Sequence, residues 1–112
     1  MSDKQPPSEK KKAAAAPAPA GSADPFVRRV TVLNRYGIHA RPASLLVKAA
    51  SRHPCEIWIE KEGLRVNAKS IMGLLTLEGH CGAVMILTAS GPEAAEALDE
   101  MVDLFEKKFF ED

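Results

Sequence analysis

No apolar stretch in this chain approaches the ~20 residues needed to span a membrane. Nor does its beginning hold an apolar run like the core of a secretory leader, because AAAAPAPA at 13–20 is too polar and too broken by proline. Neither sign of charge is in excess: 15 Lys and Arg stand against 15 Asp and Glu. Nothing electrostatic therefore marks nucleic acid as a partner. Lys10–Lys12 is too short a run to act as a binding arm and reads as part of a solvated tail. Cysteine is scarce. Cys55 and Cys81 make no disulfide framework, and without a leader they are expected to be reduced thiols in a cytoplasmic protein. His53-x-Cys55 and His80-Cys81 have neither the spacing nor the placement of a zinc site, so no metal and no cofactor is expected.

Residues 1–25 also lack something. Apart from Met1 they contain no apolar residue larger than alanine, yet they hold five of the 8 prolines. Such a segment cannot bury enough apolar surface to offset the entropy of ordering it, so a disordered, Lys/Ala/Pro-rich N-terminal tail is expected. Residues 26–112 are left for one small domain with a single core.

Within that domain, Phe26–Leu33 alternates as a strand, with Phe26, Val30 and Val32 on one side. Asn34–Gly37 is turn chemistry. From Pro42, Ala43, Leu46, Val47 and Ala50 recur at helical spacing, and Arg52-His53-Pro54 closes the helix. Glu56–Glu60 alternates with Ile57 and Ile59 together, Lys61–Gly63 turns, and Leu64–Ala68 alternates back as a hairpin. Ser70 precedes Ile71, Leu74 and Leu75 as the N-cap of a short helix. After the loop 78–82, Ala83–Ala89 is apolar on both faces, the pattern of a central strand. Pro92 opens a last helix that buries Ala94, Leu98, Met101 and Phe105. The order β-α-β-β-α-β-α contains a hairpin and three helices that need an apolar face. An α+β layer follows, with helices on one side of a mixed or antiparallel sheet.

The chemistry concentrates at Y-G-I-H-A-R-P-A-S, residues 36–44. With the helix starting near Pro42, His39 falls at or just before its N-cap. Free backbone N–H groups and the positive end of the helix dipole form an anion site there. Arg41 adds a planar cation that fits phosphate oxygens. An imidazole beside a phosphate cradle is a nucleophile, and the helix start favours its neutral form. Spacing alone leaves a second reading open, in which His39 merely caps the helix or packs beside Tyr36.

G-I-H-A-R-P-A (37–43) closely resembles the phosphorylation site of the HPr family, the histidine phosphocarriers of the bacterial phosphoenolpyruvate-dependent phosphotransferase system. Lys69-Ser70-Ile71-Met72-Gly73 resembles the regulatory-serine segment of those members that are acted on by an HPr kinase. Both motifs lie at the family's spacing, and the resemblance covers residues 26–112. It implies an open-faced β-sandwich, a four-stranded antiparallel sheet covered on one face by three helices. It also implies a carrier and not an enzyme. His39 would be phosphorylated on Nδ1 by enzyme I and relieved by enzyme IIA domains, with Arg41 and the helix start at Ala40 and Arg41 holding the group. Ser70 would be the target of HPr kinase/phosphorylase, and Ile71, Met72 and Leu75 the docking surface. The resemblance implies a monomer.

Rival readings are narrower. Histidine phosphatases share only H-x-R-P and need a larger domain. Neither His53 nor His80 has an acidic neighbour in sequence to serve in an acid–base pair. Leu104-Phe105, Phe109-Phe110 and Glu111-Asp112 resemble the nitrogen-branch relative NPr, so a nitrogen-branch or purely regulatory phosphoprotein is the alternative to sugar uptake. Phe109-Phe110 reads either as a frayed end or as a contact surface.

Overall fold

A computed structural model describes residues 25–111. Seven elements follow in the expected order: β1 (Phe26–Thr31), α1 (Ala40–Ser51), β2 (Glu56–Lys61), β3 (Leu64–Asn67), α2 (Ile71–Thr76), β4 (Val84–Ser90) and α3 (Ala94–Glu106). The tail expected at 1–25 lies outside the described residues except for Pro25, as does Asp112. Among the described residues, no helix is long and apolar enough to cross a membrane.

The strands form one sheet in the order β1-β4-β2-β3, antiparallel at every pairing. Register follows the alternation. Val30 faces Met85 across the β1–β4 pair, while Ile57 and Ile59 face Ala89 and Leu87 across the β2–β4 pair. All six are buried, and a one-residue slip would turn each of them to the opposite face. The helices lie on that inner face. α1 supplies Ala43, Leu46, Ala49 and Ala50, α2 supplies Leu74, and α3 supplies Ala94, Ala97, Leu98, Met101 and Phe105. Each large side chain so buried contributes about 1.5–3 kcal/mol of transfer free energy.

β4 is central, as its apolar run suggests, but it is not covered on both sides. Met85, Leu87 and Ala89 are buried, whereas Val84 is exposed and Ile86 and Thr88 are half-buried. The outer face of the sheet is open. Apolar residues there are tolerated because half-buried β-branched side chains still pack against cross-strand neighbours.

The chain after α3 is not frayed. Lys108, Phe109 and Phe110 all take left-handed backbone angles, with φ of 55°, 54° and 62°, a conformation that costs an L-residue about 1–2 kcal/mol. Burial offsets that cost. Phe109 is fully buried and meets Phe105 edge-on with ring centroids 4.9 Å apart. Phe110 is exposed. The pair is thus one core residue and one surface residue, and the left-handed turn carries residue 111 back over the start of α1.

Candidate functional site

His39 is the N-cap of α1, with extended backbone angles of φ −92° and ψ −167°. Its side chain makes no capping hydrogen bond, so the capping alternative fails. Its carbonyl accepts the first helical bond from Ala43 at 3.0 Å. Among the described residues, the N–H groups of Ala40 and Arg41 have no hydrogen-bond acceptor, and Pro42 has no N–H. The first turn therefore presents two free donors beside the imidazole.

The turn before His39 is held tightly. Gly37 has φ of +70°, and a Cβ on it would collide with the backbone carbonyl of Gly79. Ile38 donates to that same carbonyl at 2.7 Å, so the 78–82 loop clasps the 37–38 turn. Only glycine fits such a close approach at positive φ.

Glu111 completes the site. Its Oε2 lies 3.0 Å from His39 Nε2 and 3.3 Å from Arg41 Nη1. Asn34, fully buried, donates through Nδ2 to the Gly37 carbonyl at 2.7 Å and to Glu111 Oε1 at 3.1 Å. Burial pushes the Glu111 carboxyl up, but hydrogen bonds from Asn34, His39 and Arg41, with the His39 charge, outweigh it and hold the group below the usual carboxylate range. A carboxylate accepting from Nε2–H fixes the tautomer with the lone pair on Nδ1. Arg41 Nη1 also donates to the Phe109 carbonyl at 2.7 Å, so in this state its guanidinium rests on the C-terminal segment.

Sequence reasoning had His39 and Arg41 but not the role of Asn34 or Glu111. Asn34 read only as turn chemistry. Glu111 lies 72 residues from His39 and carried no local signal.

Ser70 is the N-cap of α2, and its hydroxyl accepts from the Gly73 N–H at 3.0 Å. Ile71 and Met72 are exposed, Met72 to 73%, while Leu75 is half-buried against the core. α2 packs along α1. The Lys69 ammonium donates to the His53 and Cys55 carbonyls at 2.9 and 2.8 Å, tying the Ser70 segment to the end of α1.

His53 requires a correction. It lacks acidic neighbours in sequence, but the fold brings it two. Its Nδ1 lies 2.9 Å from Glu93 and its Nε2 2.9 Å from Glu100, with Arg52 on the other oxygen of Glu100. Its side chain is only 14% exposed. These contacts clamp the end of α1 to α3. Cys55 is buried and Cys81 exposed, both unpaired.

Comparison with known proteins bears on this arrangement. Residues 26–107 match the PTS-HPr family, described as the PTS HPr component phosphorylation site. The chain belongs to the HPr family. It is 46% identical over 86 residues to the phosphocarrier protein HPr of Treponema pallidum, covering 77% of this chain and 98% of that protein. It is 42% identical over 81 residues to the HPr-like protein Crh of Halalkalibacterium halodurans, covering 72% and 96%. The crystal structure of HPr from Thermoanaerobacter tengcongensis is similar at a TM-score of 0.75 and 44% identity, covering 78% of this chain and 98% of that one. HPr proteins are phosphocarriers of the phosphotransferase system and not enzymes, and the open-faced sandwich described above is their fold.

Proposed function

We propose that this HPr-family protein carries a phosphoryl group on Nδ1 of His39, taking it from phosphorylated enzyme I and passing it to enzyme IIA domains. The observation that carries the reading is the pairing of His39 Nε2 with Glu111 at 3.0 Å. It commits one ring nitrogen and leaves the other with its lone pair.

Transfer then balances. The Nδ1 lone pair attacks phosphorus, and the N–P bond of the donor histidine breaks, returning its electron pair to the donor ring. The proton on Nε2 stays in place. The His39 ring becomes cationic, and Glu111 faces that charge. The free N–H groups of Ala40 and Arg41 receive phosphoryl oxygens at the helix start. Arg41 turns from Phe109 and Glu111 to the new group, with bidentate geometry suited to phosphate. One movable cation and two N–H donors hold the group loosely enough to be handed on.

Ser70 is the proposed regulatory site for HPr kinase/phosphorylase. Phosphate there adds about −1.5 to −2 of charge at the start of α2, beside Ile71, Met72 and Leu75. Those residues are the proposed docking surface, where an exposed and adaptable Met suits several successive partners. The protein would act as a cytoplasmic monomer.

The test is intact mass and acid lability after incubation with phosphoenolpyruvate, magnesium and enzyme I. One acid-labile phosphate is expected on wild type and none on His39→Ala. A folded wild type that takes no phosphate, beside an active control carrier, would refute the reading.

A further inference from the structure

An open cavity of about 330 Å³ lies beside the His39 ring, lined by Arg35, Tyr36, His39 and Glu111. Two of these residues have no part in the carrier chemistry described above. Both belong to the Asn34–Gly37 turn, which Asn34 and the Gly79 carbonyl hold in place.

The charges around this space do not balance once the group arrives. A phosphoryl group brings about −1.5 to −2 and arrives beside Glu111, whose carboxyl is held ionised. Arg41 and the cationic His39 ring together still leave that pair short by about half to one positive charge, and the Arg41 Nη1 is shared with the Phe109 carbonyl and Glu111. Arg35 faces the same cavity. Its guanidinium stands 5.8 Å from the centroid of the exposed Tyr36 ring, a weak cation–π contact of about 0.5–1 kcal/mol at exposed sites. Among the described residues it has no carboxylate partner. It is therefore a cation that can be redirected at little cost.

We infer that Arg35, resting on Tyr36, is a second phosphoryl-binding cation: when His39 is phosphorylated, its guanidinium leaves the ring and pairs with the phosphoryl oxygens across the cavity. This rests on the carrier role proposed for His39. Tyr36 serves as a parking place that keeps the guanidinium near the site and away from Glu111. Arg35 and Arg41, with the cationic ring, then offset the phosphoryl group and the carboxylate together. On release Arg41 regains the Phe109 carbonyl and Glu111 and Arg35 regains the Tyr36 ring, and these competing partners keep the group easy to hand on.

The experiment follows the phosphoryl group itself. Wild type, Arg35→Gln and Arg35→Lys are phosphorylated with phosphoenolpyruvate, magnesium and enzyme I, and the second ionisation of the phosphohistidine is titrated by phosphorus NMR. A nearby cation favours the dianion, so Arg35→Gln is expected to titrate about half a unit higher than wild type. Arg35→Lys is expected to lie between them, because it keeps the charge without the fork. Arg35 is exposed, so thermal midpoints of the unphosphorylated proteins are expected to coincide. Superimposed titration curves for wild type and Arg35→Gln would overturn the inference alone. The same holds if only the KM for enzyme I rises, since Arg35 would then contact the donor protein. Failure of wild type to accept phosphate would overturn the carrier reading and this inference with it.

Discussion

Glu111 Oε2 lies 3.0 Å from His39 Nε2 while Glu111 Oε1 accepts from the buried Asn34, so the residue just after α3 sets the tautomer of a histidine at the start of α1. The left-handed turn at Lys108–Phe110 makes this possible, and Phe109 anchors that turn in the core. Site chemistry and core packing therefore share one segment.

Glu111→Gln keeps an acceptor for Nε2–H but removes the charge opposite the ring. Phosphohistidine formation by enzyme I is expected to slow roughly fivefold, about 1 kcal/mol of barrier in transition-state terms, measured by quenched-flow intact mass. An unchanged rate would leave Glu111 with a packing role only.

The same pair carries a pH signature. The Glu111 carboxyl is held below its ordinary range, so its stabilising contribution is fully present above the unfolded value of about 4.3 and is lost as pH falls through the lower folded value. The difference in Tm between wild type and Glu111→Gln is expected to shrink in acid below that value. A gap that persists undiminished to pH 2 would contradict the assignment.

Ser70→Ala removes the acceptor for the Gly73 N–H and is expected to cost about 1 kcal/mol in urea unfolding. Ser70→Asp keeps an acceptor and places a negative charge where the helix dipole favours it, so its stability stays near wild type. Its rate of phosphorylation by enzyme I is expected to fall. A Ser70→Asp variant that is fully active would remove the case for charge-based regulation here.

Phe109 and Phe110 separate cleanly. Phe109→Ala empties a fully buried site and is expected to cost about 3–5 kcal/mol, whereas Phe110→Ala at an exposed position stays within about 0.5 kcal/mol. Equal effects in denaturant titrations would show that the turn at 108–110 is not anchored as described.

His53→Ala leaves Glu93 and Glu100 without the ring that bridges them. A loss of about 1–2 kcal/mol is expected in urea unfolding. Adding Glu93→Gln is expected to recover part of it, because Glu93 loses its cationic partner with the ring whereas Glu100 keeps Arg52. Additive losses would mean that the clamp does not couple the two.

Much of this protein was legible along the chain. Ile57 and Ile59 alternate, Ala43, Leu46 and Ala50 recur at helical spacing, and Ser70 stands before a short apolar run. Each is a local pattern, and the periodicity of a strand or helix is itself local. His39 and Arg41 were legible for the same reason, since a helix start and its neighbouring cation lie within a few residues. Val84 and Ile86 misled because apolar content cannot say whether a second layer covers that face. Phe109, Glu111 and the His53 clamp were not legible at all. Their partners lie 40 or more residues away or depend on left-handed backbone angles that no local pattern announces. The sequence by itself determined the elements, the core face and the histidine proposed as carrier; tertiary structure alone decided which carboxylate meets which imidazole, because that depends on where the chain returns after α3.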